Sequence, residues 1–417
     1  MSITTDITVL NKRAKEGNVD AQLTLANMYE NGMGVDLDIG LAARWFLEAA
    51  YLGSVKAQSR LGEMFLNGEG VSKNKKQAMR WFRRAAEQND PGALANIGWC
   101  YQNGITVDKN IDKAFKWYYR AAKLGHAGAC YNLGHMYSNG IGIEKDERKA
   151  FKWFERAAKQ GDRKAQLNLG LIYSHGAGVE ENQIIAVEWI RKSAEQGFSK
   201  AQYNLAIMYE NGLGVPADDQ QAAKWYRAAA EAGYYRAQYV LGLYYLKGRG
   251  VEKDLGKAGD WLQKASEQGY QKAQYQFAMI FLKGTGVPID QEAGAMWMRF
   301  AADQGYAQAQ YELAKLYQEG IGFEQDDEKA FEWFLKAAKN NVIKAQYYVG
   351  MLYSKGWGIK KSDVDAYTWI YLAAMAGEPE AEKILEKAAM ILSREELAEA
   401  THNAEDLQKE IGIIDPE

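Results

Sequence analysis

Apolar residues recur along this chain at helical spacing, in short blocks separated by glycine-rich breaks. Ala21, Leu25 and Tyr29 fall at i, i+4 and i+8, and the triplet returns at Ala57, Leu61 and Phe65 and at Ala93, Ile97 and Tyr101. Positions so spaced form one stripe of a helix. Each triplet predicts a short amphipathic helix, here helix A. The break that follows is fixed. Counting from Ala21 in units of 36, the twelfth position is glycine in every unit, from Gly32 to Gly356, and the fourteenth is glycine in all but one, where Thr106 stands. Glycine ends a helix because it enters the left-handed region without a Cβ clash.

A second helix, B, follows each break. Its start carries Asp38, Asn74, Asn110, Asp146, Asn182, Asp218, Asp254, Asp290, Asp326 and Ser362, all side chains that cap an orphan N–H. Its apolar face reads Ala, Trp, large apolar, Ala at i, i+3, i+4 and i+7, as in Ala78, Trp81, Phe82 and Ala85. Small alanines let helices approach closely, and the tryptophan is expected to fill the space between them. Helix B closes at a glycine such as Gly53 or Gly125, or at Asn89 and Asn341, and Asn is the common substitute at a left-handed cap. Pro91 and Pro379 stand where a first-turn proline is tolerated.

Tryptophan marks the period. Trp45, Trp81, Trp117, Trp153, Trp189, Trp225, Trp261, Trp297, Trp333 and Trp369 are each 36 residues apart, and Trp99 and Trp357 alone lie outside the series. Ten helix–turn–helix units therefore fill residues 21–380. One hairpin buries too little to fold alone, so the units must stack and the ends must be capped. Residues 1–20 are expected to form an N-terminal capping half-repeat, 381–410 the C-terminal capping helices, and 411–417 a disordered tail. The last helix should start at Ser393, where Ser-Arg-Glu-Glu is a capping box closed by Glu396. Residues 393–417 carry eight acids against Arg394 and Lys409, a net charge of −6.

Composition changes this picture little. A hydrophobic share of 47% and a charged share of 25% are ordinary for a globular chain, and the net charge of −3 gives no whole-chain reason to expect nucleic acid or an anionic membrane. Two cysteines, Cys100 and Cys130, are too few for a disulfide scaffold. The start MSITTDITVLNKRAKEG lacks the apolar core of a signal peptide, and no run reaches the roughly 18 apolar residues of a membrane helix. The expected location is the cytoplasm.

These residues resemble the Sel-one-like repeats, relatives of the tetratricopeptide repeat. The unit AQYNLAIMYENGLGVPADDQQAAKWYRAAAEAGYYR at 201–236 follows the family pattern almost throughout, and the resemblance covers about residues 21–390. It implies an all-α fold, a right-handed α/α superhelix or solenoid with A helices lining the concave side. It also implies adaptor or scaffold roles in protein complexes. Certain secreted members staple each repeat with a cysteine pair, which this chain lacks.

On the tetratricopeptide analogy, positions 3, 7, 10 and 11 of helix A face the groove. Position 3 supplies Tyr131, Tyr203, Tyr239, Tyr275, Tyr311 and Tyr347; position 7 supplies Trp99, His135, Leu171, Ile207, Leu243 and Met279; Leu246 and Leu282 join at position 10. Such a strip marks an interaction site, with Tyr and Trp as anchors. The alternative for the tyrosines is packing between repeats. Lys56, Lys164, Lys200, Arg236, Lys272 and Lys344, with Lys247, Lys283 and Lys355, either attract an acidic peptide or form a solvated face.

Catalysis finds little support. His126, His135, His175 and His402 have no metal-ligand spacing. The Gly-x-Gly pairs lack the strand and the Lys-Ser/Thr of a phosphate loop. The expectation is therefore a non-enzymatic, monomeric, protein- or peptide-binding solenoid without cofactor or metal, binding no nucleic acid and inserting in no membrane. The rivals are a secreted effector or surface factor and, further off, a hydrolase of cell-wall or β-lactam-like substrates.

Overall fold

The computed structural model describes residues 3–412, and side chains from Ile7 on. Every element among them is helical. The fold is an all-α solenoid of helix pairs, gathered into two compact units: residues 1–208 with 212–216, and 209–211 with 217–417.

The first unit opens with α1 (Ile3–Lys15) and then alternates A and B helices. These are α2 (Val19–Asn31), α3 (Ile39–Tyr51), α4 (Val55–Asn67), α5 (Lys75–Glu87), α6 (Pro91–Asn103), α7 (Ile111–Lys123), α8 (Ala127–Asn139), α9 (Glu147–Lys159), α10 (Arg163–His175) and α11 (Gln183–Glu195). Most of α12 (Ser199–Asn211) closes the unit. The second unit continues with α13 (Asp219–Glu231), α14 (Tyr235–Lys247), α15 (Leu255–Glu267), α16 (Gln271–Lys283), α17 (Gln291–Asp303), α18 (Ala307–Glu319), α19 (Asp327–Lys339), α20 (Ile343–Lys355) and α21 (Asp363–Met375). It ends in α22 (Pro379–Ala389) and α23 (Arg394–Gly412). Of the expected tail, 411–412 belong to α23 and 413–417 lie outside the described residues.

The predicted punctuation sits where its chemistry requires. All ten B-helix caps accept a backbone N–H, as Asp38 does from Leu41 at 2.8 Å. Asn89 and Asn341 adopt φ of 60° and 61°, the left-handed conformation that Asn tolerates. Thr106 is forced into the same region at φ 67°. The second turn glycine has a further reason: a Cβ at Gly70 would run into the carbonyl of Ile39 on the preceding B helix. The capping box closes reciprocally, with Ser393 N donating to Glu396 Oε2 at 2.8 Å and Glu396 N to Ser393 Oγ at 3.3 Å.

The core departs from the expected packing at the tryptophans. Trp225, Trp261 and most of the series are only half-buried, while the next residue in each B helix is buried completely: Phe46, Phe82, Tyr118, Phe154 and Ile190 in the first unit, and Tyr226, Leu262, Met298, Phe334 and Ile370 in the second. The half-buried indoles lie at the rim, often beneath a cation one turn on, as with Lys192 over Trp189 at 4.1 Å and Lys264 over Trp261 at 4.3 Å, whereas Trp81, Trp153, Trp333 and Trp369 are buried as expected. The fully buried residue presses on a small residue of helix A. A Cβ at Gly62 would lie 2.5 Å from the Phe82 ring, and one at Gly242 2.7 Å from Leu262 Cγ. Close-packed interiors leave no slack at such points.

A polar ladder also runs through the buried seam. Gln58 Nε2 donates to Ala50 O at 3.1 Å, and its Oε1 accepts from Gln88 Nε2 at 3.0 Å. The pattern repeats at Gln166 with Gln196 in the first unit, and at Gln238 with Gln268, Gln274 with Gln304 and Gln310 with Asn340 in the second. Buried amides are stable when both ends are satisfied in this way.

Candidate functional site

Helix A presents its positions at i, i+3, i+7 and i+11 on one stripe. In the first unit that stripe places Trp99, 39% exposed, on α6. Half-buried Tyr131 and exposed His135 follow on α8, their rings 6.4 Å apart, and half-buried Tyr203 and Ile207 on α12. Tyr131 also leans on Phe154 at 5.8 Å, and burial pushes its hydroxyl pKa up. In the second unit half-buried Tyr239 and Leu243 lie on α14, Tyr275 and Met279 on α16, and Tyr347 on α20. Tyr311 differs: at 8% exposure it is packed between Phe334 and Tyr348, with centroids 5.8 and 5.9 Å away. It is a core ring, because Tyr348 covers the face that the other repeats leave open. Trp357, in a turn and 47% exposed, carries Lys355 Nζ 4.1 Å above its ring.

Three further tyrosines belong to this face and were not anticipated. Polar residues cap α2, α4, α6, α8 and α10, but Tyr234, Tyr270 and Tyr306 hold that position at α14, α16 and α18 and make no side-chain cap. Tyr270 instead touches Tyr235 at 5.0 Å and Tyr239 at 5.3 Å, and Tyr306 touches Tyr275 at 5.5 Å. Most of these contacts are edge-to-face, the preferred aromatic geometry. Their signal in the sequence is the exchange of Asp, Ser and His for aromatics at one repeat position.

Two arginine clasps tie helices together. In the first unit Arg60 reaches Glu30 and Glu69 at 2.6 Å each and Glu63 at 3.1 Å. Burial works against its charge, yet hydrogen bonds to Glu30 and Glu69 outweigh this and raise its pKa. In the second, Arg249 joins Asp219 at 2.8 Å and Glu210 at 2.5 Å, and the Tyr226 hydroxyl donates to Glu210 Oε2.

The cysteines and His126 have structural surroundings. Cys100 and Cys130 are buried free thiols, and burial lifts Cys100 to about 11, which removes thiolate reactivity at neutral pH. His126 is the N-cap of α8, its Nδ1 accepting from Ala129 N at 3.0 Å. Among the described residues no three His, Cys, Asp or Glu side chains are grouped to hold a metal ion, and no helix is long and apolar enough to cross a membrane.

Stacked helix pairs of one period, with a regular core and a variable A-helix face, define an α-solenoid repeat protein. The Sel1 repeat family model matches ten times, at 19–54, 55–90, 91–126, 127–162, 163–198, 199–234, 236–270, 271–306, 307–342 and 343–378. The chain belongs to the Sel1 repeat family. Among solved structures it is similar to c5321, a protective antigen present in uropathogenic Escherichia coli strains and displaying an SLR fold. That likeness has 30% identity over 100% of this chain and 91% of that one, with a TM-score of 0.80. It is also similar to a Sel1 repeat protein from Oxalobacter formigenes, at 34% identity over 74% of this chain and 90% of that one, with a TM-score of 0.60. No curated protein matches it.

Proposed function

We propose that this protein is a non-catalytic, cytoplasmic interaction scaffold that binds a peptide or helix of a partner protein on its A-helix face. Sel1 repeat proteins act generally as protein–protein interaction scaffolds. The observation that carries the reading is the run of partly exposed aromatic and aliphatic side chains at one pair of repeat positions. In the first unit these are Trp99, Tyr131, His135, Tyr203 and Ile207; in the second, Tyr239, Leu243, Tyr275, Met279 and Tyr347. Rigid aromatic rings make good anchors, since they bring large contact area with few rotatable bonds. Tyr311 supports that surface from beneath.

The test is a comparative capture from native lysate. Wild type is set against a variant carrying Trp99→Ala, Tyr203→Ala and Leu243→Ala, with both shown by circular dichroism to be folded. Partners lost only from the variant support the reading. Partners retained equally by both refute the face assignment. A second reading, action outside the cell, is favoured by the likeness to a protective antigen; absence of the chain from culture supernatant removes it.

A further inference from the structure

In the second unit the A helices carry a charge pattern that the first unit lacks. Three of them share one stripe: Arg236–Tyr239–Leu243–Lys247 on α14, Lys272–Tyr275–Met279–Lys283 on α16, and Lys344–Tyr347–Met351–Lys355 on α20. Each reads cation, tyrosine, aliphatic, cation at i, i+3, i+7 and i+11, which places all four on one helix face. The two cations of a stripe are eleven residues apart, about 16 Å along the helix. Stacking the helices therefore draws two rows of positive charge with an aromatic strip between them, interrupted at α18, where Gln308, buried Tyr311, Lys315 and Glu319 take the four positions. In the first unit the last position of the stripe is Asn67, Asn103, Asn139 or His175, and the second row is absent.

The six cations are exposed, and none forms an ion pair among the described residues. Two lysines of the B helices, Lys257 and Lys329, are by contrast tied to their own N-cap aspartates at 2.9 and 2.8 Å. Helix stability does not account for Arg236, Lys272 and Lys344 either, since a cation in the first turn opposes the macrodipole. Charge is also segregated by layer. α14, α16 and α20 each hold two cations and no acid, and α18 holds Lys315 against Glu312 and Glu319, so the four A helices sum to +5. The five B helices of the unit hold eight cations and eleven acids, a sum of −3.

We infer that this face docks an extended acidic segment of a partner protein. The inference rests on the scaffold reading above and specifies its ligand. An extended chain of the polyproline type has three residues per turn, so one running along the stack sends side chains to a cation row on either flank and lays others on the tyrosines between. Single-stranded nucleic acid needs free ring faces for base stacking. Here Tyr239 and Tyr275 are engaged by Tyr270 and Tyr306.

The test uses the full chain and a fluorescein-labelled peptide of four Glu-Leu-Glu-Pro repeats, in which proline holds the chain extended. Fluorescence anisotropy should show binding that weakens steeply with sodium chloride. Replacing both rows (R236Q, K247Q, K272Q, K283Q, K344Q and K355Q) should lower affinity by about tenfold or more, as expected when several rim charges act together. Removing one row alone (K247Q, K283Q and K355Q) should already weaken binding, and a charge-matched control on the B helices, K224Q with K264Q and K339Q, should leave it unchanged. Failure of the acidic peptide to bind wild type, equal binding of the peptide with lysine for glutamate, indifference to loss of both rows, or displacement by equimolar oligothymidylate each overturns the inference. If the lysate capture still loses partners with Trp99, Tyr203 and Leu243 truncated, the scaffold reading stands and only the acidic ligand fails.

Discussion

The glutamine ladder makes a prediction of opposite sign at two equivalent positions. Gln58 is satisfied because Gln88, thirty residues on, donates to its Oε1 and also to Gly53 O at 3.2 Å. One repeat earlier Gln22 donates to Ala14 O at 3.0 Å, but the position equivalent to Gln88 is Leu52, and Gln22 Oε1 is buried with no partner. An unsatisfied buried acceptor costs about 1–3 kcal/mol, and a completed hydrogen bond returns about 1 kcal/mol net. Leu52 is 55% exposed, so its truncation to the glutamine stem sacrifices little apolar burial. Leu52→Gln should therefore stabilise the first repeats by about 1 kcal/mol. Gln88→Leu should destabilise them by about 1–3 kcal/mol, because it leaves the Oε1 of buried Gln58 bare. Urea denaturation followed by circular dichroism measures both, and amide exchange across α2 and α4 localises the change, since repeat arrays do not always unfold in one step. Destabilisation by Leu52→Gln, or a neutral Gln88→Leu, would show that the ladder is a passenger of the packing and contributes no stability of its own.

Four further outcomes test the packing directly. Phe334→Ala should cost about 3–5 kcal/mol as a fully buried ring, whereas half-buried Trp225→Ala should cost about 2 kcal/mol, roughly half that figure; equal losses in chemical denaturation would contradict the placement of the indole at the rim. Gly242→Ala should destabilise by about 1–3 kcal/mol by overpacking Leu262, while Gly259→Ala, mid-helix in α15 with nothing within 4 Å of the new Cβ, should stabilise by about 0.5–1 kcal/mol; thermal melts of the two should move in opposite directions. Thr106→Gly should stabilise by about 0.5–1 kcal/mol, since a β-branched residue at φ 67° is strained. His126 titrates below its ordinary value, mainly through burial, with Asp90 pulling the other way. The folded state thus binds the proton less readily than the unfolded chain, so stability is full above the ordinary histidine pKa of about 6.5 and falls as pH drops below it. The melting temperature of His126→Asn should decline less between about pH 7 and pH 5 than that of wild type.

What the sequence makes legible follows from what each position has to satisfy. A cap or a turn is decided by a few neighbouring residues, so Asp38, Gly32, Asn89 and the Ser393–Glu396 box all behave as their local chemistry predicts. The tryptophan was harder. An apolar residue at i+3 and another at i+4 share one face, and periodicity alone cannot say which points inward. Seven residues after the start of helix A a small residue, Gly62 or Gly242, makes room for the i+4 side chain and not for the indole. The ladder left a readable trace that the apolar pattern hid, namely a glutamine recurring on a buried stripe with an amide thirty residues later. A buried polar residue repeated at one position signals a partner repeated at another.

The binding face obeys a different logic. Core positions are nearly identical in every repeat because each pair must stack on the next, so repetition reports packing and departure from it reports something else. Tyr311 obeys the repeat yet is buried, because Tyr348, at a position where no other unit holds an aromatic residue, closes over it. Lys247 and Lys283 stand where the first unit holds Asn or His, and they form no ion pair among the described residues. Tyr234, Tyr270 and Tyr306 forgo a helix cap worth about 1 kcal/mol each to extend an aromatic surface. The first-turn cations Arg236, Lys272 and Lys344 oppose the macrodipole, the last-turn lysines favour it only slightly, and stability loses by the missing caps. A strip assembled against the helices' own preference, in three neighbouring repeats and on one face, is better explained by what it binds than by how it folds.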